Sequence, residues 1–94
     1  MDEYELSVAE QTVIYCQLLV LNSNSVDCRL FNSAVQIAVE ANEESEFVKA
    51  LDYVILFFNK IQKDKSLNRQ HLLNFKQCLF ELTSDYENLQ KKIR

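Results

Sequence analysis

Glycine and proline are both absent from the 94 residues. Glycine is the residue that supplies positive φ angles, tight hairpin turns and phosphate-cradling loops, and without either residue a β-rich fold or a nucleotide-binding loop is excluded. Histidine is nearly missing too, His71 being the only one. Long apolar runs are lacking as well. The longest, Tyr53 to Phe58, has six residues, against the ~20 that a membrane-spanning helix needs. No basic-then-apolar leader opens the chain, so the expected location is cytoplasmic, without direct membrane insertion.

What is present suits one small globular domain. Hydrophobic residues make up 48% and charged residues 26%, far from the composition of a disordered chain. A chain this short has room for one core and buries about 60–65% of the surface exposed on unfolding. Residues 1–94 are therefore read as a single domain. The net charge of −4 gives no general attraction to nucleic acid or anionic lipid and suits a basic partner segment. Cys16, Cys28 and Cys78 show no C-x-x-C spacing and sit in apolar periodic stretches, as expected of buried free thiols in a reducing compartment.

The apolar spacing predicts helices throughout. Ser7 and Glu10 fit a capping box, and apolar residues then recur from Val8 to Leu21 until Asn22-Ser23-Asn24-Ser25 interrupts them. From Val26 a second helix has Phe31, Ala34, Val35, Ala38 and Ala41 on one face. A polar turn over 42–45, with Asn42 or Ser45 as the cap, leads to a third helix ending near Lys63. Its inner face is Phe47, Ala50, Leu51, Val54, Phe58 and Ile61, while Tyr53, Ile55, Leu56 and Phe57 carry apolar surface nearly all the way round. Beyond Lys63-Asp64-Lys65-Ser66, apolar residues fall at Leu72, Phe75, Leu79, Leu82, Tyr86, Leu89 and Ile93 in an unbroken 3-4 alternation. That register predicts one long helix from about Asn68 onward, passing through Thr83-Ser84-Asp85. The fold expected is an all-α antiparallel bundle of three to four helices, with 8–21 as an extra first helix before a core over 26–94.

Catalytic or metal chemistry finds little to work with. One histidine and three scattered thiols supply neither a nucleophile with its base nor the ligands of a zinc site. No catalytic residue, metal or cofactor is assigned, and the chain is read as a non-enzyme. The basic residues Lys60, Lys63, Lys65 and Arg69, and later Lys91, Lys92 and Arg94, are read as solvated helix ends, with no nucleic-acid partner. Surplus apolarity remains: Leu73 and Phe80 lie off the main seam of the last helix, and Tyr53, Leu56 and Phe57 off that of the third. Either the core absorbs them or a groove between the third and last helices takes a helical or extended peptide.

One stretch resembles a known family. Ala38-Val39-Glu40-Ala41-Asn42, then Phe47, then Ala50-Leu51 is similar to the helix-turn-helix of the microtubule-interacting and trafficking (MIT) domains. That family has an Asp where Asn42 stands. The similarity covers roughly residues 30–93. It implies a three-helix bundle holding short motifs from the tails of ESCRT-III subunits in grooves beside its last helix. Arg29 to Gln36 also resembles the paired MIT-type domains that close the Unc-51-like autophagy kinases, which dock a regulatory subunit of the initiation complex. The expected function is then a non-catalytic adaptor in membrane trafficking or autophagy, recruited to endosomal or autophagic membranes through its partners. Tyr53, Leu56, Phe57, Leu73 and Phe80 would be its apolar contacts, and Glu81 and Glu87 would meet basic residues. The alternative from a different class is a homodimer paired through the heptad of the last helix.

Overall fold

Ser7 starts the first helix, α1 (Val8–Val20), by the reciprocal bonding its sequence predicts. Its Oγ accepts the Glu10 N–H at 3.1 Å, and the Glu10 carboxylate accepts the Ser7 N–H at 2.9 Å, so two otherwise orphaned donors are satisfied. In the computed structural model, which describes residues 6–94, the further elements are α2 (Val26–Glu40), α3 (Glu44–Ile61), α4 (Arg69–Leu82) and α5 (Glu87–Gln90). The all-α expectation holds among the described residues; the first five of the single domain read over 1–94 lie outside them.

Each start has a local cause. Ser25 Oγ accepts the Cys28 N–H at 3.0 Å to begin α2, and Asn68 Oδ1 accepts the His71 N–H at 2.9 Å to begin α4. The third start departs from expectation. Glu43, not Asn42 or Ser45, takes the cap position, and its side chain makes no capping bond. Glu44 and Glu46 in the first turn favour this end through the helix dipole instead.

The expected long last helix is broken. Thr83 turns to φ −100°, ψ 14°, and its hydroxyl donates to the Leu79 carbonyl at 2.7 Å. The Tyr86 N–H then donates to the Thr83 carbonyl at 2.9 Å, closing a turn before α5. Thr83, Ser84 and Asp85 are weak helix formers. The bend also gains contacts that a straight helix would forgo: Tyr86 meets Phe47 in a tilted ring contact with centroids 6.0 Å apart, and Leu89 becomes 93% buried, 7% of it remaining exposed. The 3-4 spacing survives because Leu89 and Ile93 still pack against the core, though from a segment that has changed direction.

The helices are joined through three phenylalanines, one each from α2, α3 and α4. Phe31 lies 4.9 Å from Phe75 and 6.1 Å from Phe58, and Phe58 lies 5.2 Å from Phe75, all fully buried. Such ring pairs contribute about 0.5–1.5 kcal/mol each beyond their area. Of the inner face expected on α3, all but half-buried Phe47 is buried; Ile55, read with the surplus apolar surface, is buried too.

The first helix is part of this core. Thr12, Cys16 and Leu19 of α1 are buried, and the Cys16 thiol donates to Asn32 Oδ1 of α2 at 3.3 Å. The Tyr15 and His71 rings lie 6.5 Å apart in a tilted contact, and Thr12 lies beside Cys78. As the α1 number rises, its α4 partner's falls, so the two helices are antiparallel. The short connection between α2 and α3 makes that pair antiparallel as well.

Candidate functional site

Small residues decide where the surface is hollow. Ala34 of α2, Ala41 just past its end and Ala50 of α3 line one seam, so no long side chain fills the space outside it. Larger residues stand on both sides: Leu30 and Ile37 on α2, Tyr53 and Phe57 on α3. Together they bound a groove of about 750 Å³, within the range of ligand-binding clefts. Its walls are open to solvent, Ile37 being 60% and Tyr53 59% exposed. Val26, one turn before Leu30 and also exposed, continues the same stripe.

Charge is uneven along this groove. At the α2–α3 turn Glu40 and Glu46 line it, with Glu43 between them in sequence, and Lys49 is the one cation in the lining. Among the described residues Glu40, Glu43 and Glu46 make no ion pair or side-chain hydrogen bond. At the far end the Lys60 ammonium lies over the Phe57 ring, 5.4 Å from its centroid.

Of the seven residues expected to form a partner site, the structure brings Tyr53 and Phe57 together. Leu56 lies outside that groove and, with Tyr53, borders a separate hollow beside Asn59 and Arg94. Leu73, 56% exposed, and Phe80 lie on the outer face of α4, where Glu81 is exposed. Glu87 opens α5 and is also exposed. The face of α3 on Leu56's side, where the expected groove with the last helix would begin, carries the chain's own C-terminal segment. Asn59 Nδ2 donates to the Lys92 carbonyl at 2.8 Å, Gln62 Nε2 to the Arg94 carbonyl at 3.0 Å, and Lys92 pairs with Asp52 at 3.0 Å. Leu30 and Ile37, which form the opposite wall of the groove actually present, were not singled out by the sequence reading. Their signal was the spacing Val26, Leu30, Ile37, a second apolar stripe on α2.

The other side chains of chemical interest have structural surroundings. All three thiols are free and buried. Burial, reinforced by neighbouring Cys28, pushes the Cys16 thiol up to about 12, and burial also raises Cys78. A thiol held in that form is a poor nucleophile. His71 Nδ1 is buried without a hydrogen-bond partner. Among the described residues no three of His, Cys, Asp and Glu converge as metal ligands, and no helix is long and apolar enough to cross a membrane. In the basic cluster near residue 65, Arg69 is engaged by the backbone: its guanidinium donates to the carbonyls of Leu67, Gln62 and Asp64. No family model matches the chain, and no curated protein or solved structure matches it either.

Proposed function

We propose that this domain is a non-catalytic protein-interaction module whose α2–α3 groove holds a segment of a partner protein. The observation that carries this is the exposed apolar wall of Leu30, Ile37 and Tyr53, with half-buried Phe57 at its end, around an alanine floor. Side chains of this size normally bury against a neighbour, and contiguous exposed apolar surface marks interaction sites. The resemblance to MIT domains adds the setting: an adaptor in membrane trafficking or autophagy, with ESCRT-III-type tails or an autophagy regulatory subunit as partners. Of the residues behind that resemblance, Ala38, Ala50 and Leu51 are core positions here.

An NMR titration of the labelled domain with ESCRT-III tail peptides and an autophagy regulatory-subunit fragment tests the reading. Saturable shifts confined to residues 26–41 and 46–57 support the groove, and the peptide that produces them selects the pathway. Shifts confined to Leu73, Phe80 and Glu81 would move the site to α4, and no shifts with either class would remove the trafficking assignment.

Homodimerisation through the last helix has less support. Leu72, Phe75, Leu79 and Leu89, four residues of the heptad seam, are buried within the chain's own core. Pairing through them would require the bundle to open.

A further inference from the structure

We infer that the occupant of the α2–α3 groove is an amphipathic α-helix of a partner protein with a basic C-terminal end, lying parallel to α2. This rests on the groove reading above, and it places the ligand away from the last helix, where the family resemblance would put it.

The groove selects a helix over an extended segment because of what its walls offer. Both walls are helices whose interior N–H and C=O groups are bonded within themselves, so a segment lying between them meets side chains only. A segment whose own backbone pairs internally fits such a site; an extended one would leave its groups without protein partners. From Leu30 to Glu40 the α2 wall runs about 15 Å at 1.5 Å per residue, which matches about three turns of partner helix. Apolar residues at i, i+3 or i+4, and i+7 of that helix would meet the Leu30, Ile37, Tyr53 and Phe57 walls.

The unpaired carboxylates choose the end. Glu40, Glu43 and Glu46 surround the α2–α3 turn against the single cation Lys49. Cationic side chains on a helix are most favourable in its last turn, where they also complement the helix dipole. A basic last turn set against those glutamates aligns the partner with α2, whose C-terminus is at the same place. Charges at such a rim set orientation and discrimination more than total affinity.

The test uses three fluorescent helical peptides of about fifteen residues, identical on their leucine face and carrying lysine, glutamine or glutamate in the last turn. The lysine peptide should bind saturably, shift Leu30, Ile37, Tyr53 and Phe57, and bind about tenfold tighter than the glutamate peptide at low salt. A Glu40→Lys/Glu46→Lys protein should reverse that order. A paramagnetic tag on the peptide C-terminus should broaden residues 40–46 more strongly than residue 57. Groove shifts that are equal for all three peptides, or stronger broadening at Phe57 than at residues 40–46, would overturn the basic, parallel helix and leave partner binding in place. Shifts elsewhere, none at all, or binding unaffected by Ile37→Asp would overturn both.

Discussion

Asn59 and Arg94 are bonded across 35 residues of chain, Asn59 Oδ1 accepting the Arg94 backbone N–H at 3.1 Å. The same amide donates to the Lys92 carbonyl, so one side chain fastens the C-terminal segment to α3 at two points. Net hydrogen bonds of this kind contribute about 0.5–1.5 kcal/mol each. Asn59→Ala should therefore release the segment locally without unfolding the bundle. Hydrogen exchange at residues 92–94 should accelerate roughly tenfold while the Phe31 and Phe58 amides keep their protection. Unchanged exchange at 92–94 would mean that Leu89 and Ile93 hold the segment by themselves.

The two phenylalanines of α4, Phe75 and Phe80, should respond very unequally to truncation. Phe75 is fully buried between Phe31 and Phe58, whereas Phe80 is 39% exposed. Phe75→Ala should cost about 3–5 kcal/mol, a large share of the stability of a domain this size. Phe80→Ala should cost about 1 kcal/mol or less. Urea unfolding of the two variants checks this, and equal losses would place the outer face of α4 in the core.

Much of the fold was legible in the sequence because its local signals are self-contained. Ser7 with Glu10, Ser25, and the polar stretch over 22–25 place α1 and the start of α2 by hydrogen bonds within a few residues of chain. The bend at Thr83 was not legible: the apolar spacing of Leu82, Tyr86, Leu89 and Ile93 is equally satisfied by a straight helix and by a segment folded back on α3. The choice between them lies in Asn59, Gln62 and Asp52, far away in sequence. The groove was half legible for a related reason. Tyr53 and Phe57 stood out as surplus on α3, but which neighbour left them uncovered depended on alanines at positions 34, 41 and 50, whose smallness matters only once α2 and α3 are side by side.

Alkaline pH should weaken the fold through groups held protonated. Cys16 is raised from an ordinary 9.0 to about 12 by burial, and the Tyr86 hydroxyl is raised from 10.0, first by its hydrogen bond to Glu44. In the unfolded chain the Cys16 thiol releases its proton near 9.0 while the folded one retains it, so the unfolded state is favoured as pH rises. Its contribution to stability is complete below 9.0 and declines between 9.0 and about 12. Cys16→Ala should flatten part of that decline, at some cost in packing, and a thiol-reactive disulfide should modify wild-type Cys16 only as fast as the protein opens. Rapid modification under native conditions would contradict its burial.

The bend at Thr83 can be weighed against the straight helix it replaces. Changing Thr83, Ser84 and Asp85 together to alanine raises helix propensity by about 1–2 kcal/mol in total. Straightening forfeits the burial of Leu89, about 1.5–3 kcal/mol, together with the Tyr86–Glu44 bond at 2.9 Å and the Asn59 and Gln62 bonds to the tail. The losses exceed the gain, so the triple-alanine protein should stay bent, with its helical circular dichroism little changed. Adding Leu89→Asp removes the largest single opposing contribution, so the straight form should gain population, raising helicity and partly exposing Tyr86. A rise in helicity from the three alanines alone would show that propensity, and not the packing of Leu89 on α3, sets the direction of the chain after Leu82.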